Sequence, residues 1–205
     1  MTALSASERA TLLRLARASI ADRALDPGSL DRALEESRLT PALQEIRGSF
    51  VTLHESPRPP AEPVGRLRGC IGTVEPCEAL ARSVIRNAAH AAYDDPRFPP
   101  VGAGELPGLR IEISALTPLR PIGDPSEIVV GRDGVELMRG SRRSVFLPQV
   151  ALEQRWDVTQ LLEQLAVKAG LPRDGWRGAE LRIFEAEVFG ELDGSARDAS
   201  ADRRS

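Results

Sequence analysis

The residues best suited to chemistry sit in one short run, Leu67-Arg68-Gly69-Cys70-Ile71-Gly72. In an extended strand Arg68, Cys70 and Gly72 share one face, and Leu67, Gly69 and Ile71 the other. Arg68 and Cys70 are then same-face neighbours roughly 7 Å apart at Cα, and a guanidinium beside a thiol is an arrangement that activates a cysteine nucleophile. Gly69 and Gly72 remove side chains on either side, as is needed where a ligand or a second backbone comes close. Two readings of Cys70 follow: a reactive or ligand-contacting thiol in a glycine-flanked groove, or a small cysteine packed in a strand.

Other residues could join that centre. Asp95-Pro96-Arg97-Phe98-Pro99-Pro100 is a rigid loop. Either Arg97 holds an anionic ligand there, or Asp95 pairs with Arg97 while Phe98 plugs the core. Arg110, Glu112 and Ser114 alternate along one strand face, and Glu112 is the candidate base of that face if it lines a groove. His90, four residues after Arg86, lies on the polar stripe of a helix and faces either a cleft or water. His54 ends a strand beside a proline loop and is expected to be exposed. Cys77 is placed at a helix start. Arg139, Arg142 and Arg143 cluster in a hairpin that reads as a solvated turn. Cys70 and Cys77 lack the partners and spacing of a zinc site, so no metal and no cofactor is expected. Nucleotide-binding glycine patterns and the Gly-x-Ser-x-Gly elbow are absent.

The elements that must position these residues follow from periodicity and caps. Ser5 and Glu8 have capping-box spacing before Leu12, Leu15, Ala16 and Ile20, which marks a first helix. Pro27-Gly28-Ser29 ends it and opens a short helix over Leu30 to Glu36. Gly48 to His54 reads as a strand, followed by a loop carrying Pro57, Pro59, Pro60 and Pro63, then the strand containing Leu67 to Ile71. Pro76 is expected at the first position of a helix running to about Tyr93. Its stripe of Leu80, Ala81, Val84, Ile85, Ala88, Ala91 and Ala92 is apolar, and Ser83, Arg86, Asn87, His90 and Asp94 form the polar side. Leu109, Ile111, Ile113 and Ala115 alternate with polar residues, the mark of a half-buried antiparallel strand. Shorter strands are expected at Glu127 to Val130, Val135 to Met138 and Ser144 to Leu147, with a turn at Arg132-Asp133-Gly134. Asp157 with Gln160 opens a helix that Gly170 and Pro172 stop, and a last strand spans Leu181 to Phe189. Asp193 to Ser205 reads as a disordered tail.

Composition bounds the class. The 205 residues are 41% hydrophobic and 28% charged, as in an ordinary globular protein. With five Phe, two Trp and one Tyr, the core must be aliphatic. A net charge of −3 argues against nucleic-acid binding by bulk charge. Lys168 is the one lysine among 27 basic residues, a bias that reflects genome composition rather than function. Two cysteines make no disulfide framework, no apolar run is long enough to span a membrane, and the first residues form no signal-like segment. A cytoplasmic location is the expectation.

Beyond the hexapeptide and Gly48-Ser49-Phe50-Val51-Thr52-Leu53, the chain carries further motifs in order. They are Asn87-Ala88-Ala89, Asp95 to Pro100, Ile111-Glu112-Ile113-Ser114, Phe146-Leu147-Pro148-Gln149-Val150, Trp156-Asp157 and Lys168-Ala169-Gly170-Leu171. Together they resemble the AMMECR family, named for the chromosomal region of Alport syndrome, midface hypoplasia and elliptocytosis. Its prokaryotic members are called AmmeMemoRadiSam system protein A. The likeness runs from about Ser5 to Leu192, so residues 1–192 read as one such domain and 193–205 as its tail. The resemblance implies an α+β fold, an antiparallel sheet flanked by helices, and a larger and a smaller lobe with the hexapeptide near a groove between them. It also implies association with a Memo-like and a radical SAM companion protein. It singles out no one activity. An enzyme or enzyme component acting on a small anionic molecule is one reading, with Cys70 and Glu112 catalytic and Arg68, Gly69, Gly72 and Arg97 binding. A non-catalytic docking protein is the second, and RNA binding the third.

Overall fold

The structure, a computed structural model, describes residues 3–56 and 65–191. The loop with Pro57, Pro59, Pro60 and Pro63 and the Asp193 to Ser205 tail lie outside the described residues. Two compact units emerge: one ends at Ala115 and takes up the chain again at Glu187, and the other is Leu116–Ala186. Six helices accompany an antiparallel sheet, which makes the chain an α+β protein.

In the first unit α1 (Ala6–Ala24) opens on the expected capping box: Ser5 Oγ accepts from the Glu8 N–H, and a Glu8 carboxylate oxygen from the Ser5 N–H. Two short helices follow, α2 (Ser29–Glu36) and α3 (Pro41–Gln44). β1 (Ser49–Glu55) is the central strand, flanked by β2 (Leu67–Thr73) and β3 (Leu109–Leu116), both antiparallel to it. The last residues of β7 (Glu180–Gly190) lie beside β3. The inner sheet face, Val51, Leu53, Ile111 and Ile113, buries against Leu12, Leu15 and Ile20 of α1 and Leu80, Val84 and Ala88 of α4 (Leu80–Tyr93). That leaves Phe50, Thr52, His54, Cys70 and Glu112 on the outer face, where they are half-buried.

Two expectations for α4 need correction. The helix begins at Leu80 rather than Pro76, because Ala79 is held extended by a bridge to Ile46 and the Leu80 N–H donates to Glu45 O. Cys77 therefore sits, exposed, in the irregular segment ahead of the helix. Ser83 and Asn87 are also buried rather than polar-facing. Asn87 Nδ2 donates to Ser49 O and Oγ at 3.0 Å each, and Ser49 Oγ lies 2.8 Å from Ser83 Oγ. A small polar network thus replaces apolar packing where α4 crosses the start of β1, with its groups mutually satisfied.

In the second unit β5 (Asp133–Arg139) pairs with β6 (Arg142–Phe146) and with β7, and β4 (Arg120–Ile122) lies on the other side of β7. Val135, Leu137, Leu181 and Ile183 pack against Leu161, Leu162, Leu165 and Ala166 of α6 (Val158–Lys168). The short helix α5 (Pro148–Glu153) precedes it. The strand expected at Glu127 to Val130 is not formed: Asp124 caps a 3-10 turn over Pro125–Glu127, and the true extra strand is β4. The turn ahead of β5 covers residues 130–132, so it includes Arg132 while Asp133 already belongs to β5; the β5–β6 turn falls at Gly140, whose φ of +62° suits glycine. At α6 the Asp157 carboxylate accepts from the Gln160 N–H at 2.8 Å and Gln160 Oε1 from the Asp157 N–H at 3.0 Å. Asp157→Ala is expected to cost about 1 kcal/mol in urea unfolding, and an unchanged midpoint would show that this cap does not hold the helix.

Candidate functional site

The hexapeptide forms β2, an edge strand of the first unit, and its two glycines each accommodate a close neighbour. A Cβ on Gly69 would lie 2.1 Å from Ala91 O of α4, so the strand can lie on the helix backbone only without a side chain there. A Cβ on Gly72 would lie 2.1 Å from the Phe50 ring, which covers the glycine from its paired position on β1. These are the close approaches that the glycines suggest, made by a backbone on one face and an aromatic ring on the other.

Cys70 pairs across the sheet with Thr52, and Thr52 in turn with Glu112. The Thr52 hydroxyl donates to Cys70 Sγ at 3.3 Å, which fixes the thiol on the outer face. The backbone of Cys70 faces the open edge of β2, and the Asp95–Pro100 loop closes that edge. Asp95 Oδ2 accepts the Cys70 N–H at 2.9 Å, and Arg97 Nη2 donates to Cys70 O at 3.3 Å. Asp95 and Arg97 pair with each other through Nε to Oδ1 at 2.9 Å and Nη2 to Oδ2 at 2.7 Å. The side chain of Asp95 is 2% exposed and that of Arg97 54%. Hydrogen bonds from Arg97 hold the Asp95 carboxyl well below the usual carboxylate range, with the Cys70 N–H adding to the effect against the cost of burial. Asp95 raises Arg97 in return, against the cost of burial, and the guanidinium stands beside Cys70 through its contact with the Cys70 carbonyl. Phe98 does not plug the core; it is half-buried, and the Arg97 guanidinium sits over its ring, 5.4 Å from the centroid.

Arg68 is positioned differently from its sequence parity. The β1–β2 register slips between Leu53 and His54: Leu53 faces Gly69 and His54 faces Leu67, which leaves Arg68 as an extra residue. Its buried guanidinium donates to Glu105 through Nε at 2.8 Å and Nη2 at 3.1 Å, to Pro99 O at 2.9 Å and to Pro100 O at 3.4 Å. The Glu105 hydrogen bond raises Arg68 and lowers Glu105. Arg97, rather than Arg68, is thus the cation beside Cys70.

The remaining candidates separate. His90 is exposed on α4, which packs on the inner face of the sheet, away from the Cys70 face. In the arginine hairpin, Arg139 donates to Gly175 O at 2.9 Å, Arg142 to Gly170 O, and Arg143 to the fully buried Glu136. All three residues are exposed, as expected of a solvated turn, with these bonds tying the turn to its own unit. Among the described residues no three His, Cys, Asp or Glu form a group able to hold a metal ion, and no helix is long and apolar enough to cross a membrane. His54, expected to be exposed, is instead half-buried. It stands two residues from Thr52 on the outer face, and strand alternation from Thr52 was the signal that could have placed it there.

The AMMECR1 family model matches residues 13–189, which contain all of these elements except the start of α1 and the end of β7. A protein of Methanothermobacter thermautotrophicus is 40% identical over 196 residues, covering 92% of this chain and 96% of the relative. One from Thermococcus gammatolerans is 44% identical over 154 residues, 72% of this chain and 74% of the relative. The crystal structure of the uncharacterised protein PH0010 from Pyrococcus horikoshii is similar with a TM-score of 0.71 at 37% identity, covering 88% of this chain and 89% of that one. On the length of the match and the order of its motifs, this chain belongs to the AMMECR1 family.

Proposed function

We propose that the protein binds a small anionic molecule at the outer face of β2, with Cys70 as the reacting or contacting group and Arg97 as the cation that holds the ligand. One observation carries this reading. Both backbone groups of Cys70 are clamped by Asp95 and Arg97, while the thiol stays half-buried with a hydroxyl donor aimed at it. A strand edge needs covering, but it does not need a half-exposed guanidinium beside a positioned thiol. Gly69 and Gly72 let β2 lie flat against its neighbours, Arg68 anchors the Pro99–Glu105 segment, and Glu112 is the carboxylate of the row beyond Thr52.

The test is site-resolved alkylation with anionic iodoacetate and neutral iodoacetamide, with the exposed Cys77 as internal reference. At Cys70 the iodoacetate-to-iodoacetamide rate ratio is expected to exceed that of Arg97→Gln by about fivefold, the factor that ~1 kcal/mol of charge attraction supplies. Arg97→Lys should keep most of the preference. Equal ratios in wild type and Arg97→Gln would remove the anion site. A docking role for a Memo-like or radical SAM companion is the competing reading, with the exposed Leu67 as its apolar handle. Companion binding that survives Cys70→Ala and is lost on Leu67→Asp would favour it. RNA binding has the net charge of −3 against it.

A further inference from the structure

We infer that His54 is the proton acceptor for the Cys70 thiol, a role that rests on the reading of Cys70 as the reactive group. Three observations meet at this residue. The first is register: His54 follows Thr52 by two residues on β1, and Thr52 faces Cys70, so His54 and Cys70 lie on one sheet face, with the β2 bulge at Arg68 beside them. Diagonal neighbours across a regular ladder are about 7–8 Å apart at Cα, a span that an imidazole can bridge. The second is an orphaned atom. His54 Nδ1 is buried and has no hydrogen-bond partner among the described residues. A buried ring nitrogen left unpaired is costly, and such atoms collect where chemistry supplies the partner. The third is the Thr52 hydroxyl, which already donates to the sulfur and would support the charge left there.

In the step, the S–H bond of Cys70 breaks, its electron pair stays on sulfur, and the proton passes to the imidazole, which becomes imidazolium. With an alkylating electrophile, the sulfur pair forms the new S–C bond and the halide leaves with the electrons of the broken C–I bond. Among the described residues, the charged groups around His54 are Glu55 beside it on β1, Arg110 opposite it and Glu112 next along β3, and Arg68 with Glu105 at the β2 bulge, with Asp95 and Arg97 at Cys70. None of those side chains ordinarily changes charge between pH 6 and 8.5 or so. A neutral-range inflection in Cys70 reactivity therefore belongs to the Cys70–His54 pair.

The experiment measures iodoacetamide alkylation of Cys70 from about pH 5.5 to 9 in wild type, His54→Gln and His54→Phe, with Cys77 as reference. Ring-proton NMR titrations of wild type and Cys70→Ala accompany it. The chain has two histidines, so the exposed His90 is the control signal. Near pH 6.5, loss of His54 is expected to slow Cys70 relative to Cys77 by about tenfold or more and to reduce its profile to a single step. The pH response of His54, but not of His90, should change in Cys70→Ala. Superimposable alkylation profiles, or a His54 titration indifferent to Cys70→Ala, would overturn the assignment. If His54→Gln changes nothing while the iodoacetate preference persists, the anion site stands without this residue. If wild-type Cys70 reacts no faster than Cys77 at any pH, the proton-acceptor role falls, and the iodoacetate preference alone then decides the anion site.

Discussion

Replacing Gly69 by alanine is expected to destabilise the protein by about 3 kcal/mol and to lower Tm by about 10 °C. The added methyl would lie 2.1 Å from Ala91 O and 3.1 Å from Ala91 C, both backbone atoms of α4. No rotamer change relieves such a clash, so either the helix or the strand must move. Movement of the helix opens the contacts of Leu80, Val84 and Ala88 with β1. Movement of the strand is opposed by Asp95 and Arg97 at Cys70 and by Glu105 at Arg68. Gly104→Ala is the matched control, since nothing lies within 4 Å of the added atom, and its effect should stay within about 0.5 kcal/mol. Urea unfolding of the three proteins decides the matter: equal stability of wild type and Gly69→Ala would mean that β2 does not rest on the α4 backbone.

The second large effect is at Asp95. Asp95→Ala removes the acceptor of the Cys70 N–H, the Arg97 N–H and the Arg97 guanidinium at once. The expected cost is about 3 kcal/mol, at the low end for breaking a buried pair because the half-exposed Arg97 can turn to water. The loss has a distinctive pH dependence. The folded-state carboxyl is depressed, so the unfolded chain binds its proton first as pH falls. The contribution of Asp95 is therefore complete above its unfolded range near pH 4 and drains away below it. Between pH 7 and pH 3 the stability gap between wild type and Asp95→Ala should narrow by about 1 kcal/mol. A gap that stays constant or widens toward acid would refute the charge-based account of the clamp. In the same variant the iodoacetate preference of Cys70 should fall, because Arg97 loses the carboxylate that aims it.

What the residues determine on their own is local. Ser5 with Glu8 and Asp157 with Gln160 are reciprocal caps closed within four residues, so the starts of α1 and α6 need no tertiary information. Alternation over Leu109 to Ala115 specifies a strand with one buried face, since a one-residue slip would expose the whole apolar set. The order of motifs was enough to indicate the family, because it draws on the whole chain at once. Features that depend on a distant neighbour behaved otherwise. Ser83 and Asn87 read as a polar helix face, because nothing in their own helix announces that Ser49 will meet them with matching donors and acceptors. The start of α4 moved to Leu80 because Glu45 and Ile46, over thirty residues earlier in sequence, fix Ala79 as extended.

The hexapeptide shows the division most clearly. Its alternation placed Cys70 and Gly72 on one face and Gly69 on the other, and its glycines announced close approach before the approaching groups were known. Period-two geometry is a property of the strand itself, so that much was available from sequence. Which cation stands beside the thiol was not. A single extra residue opposite His54 commits Arg68 to Glu105 and the Pro99 and Pro100 carbonyls, and leaves Arg97 at Cys70. A bulge is set by pairing between two strands, and a loop reaches a strand edge only when the sheet exists. Those contacts have no signature in the strand that receives them, and so the tertiary structure alone decided them.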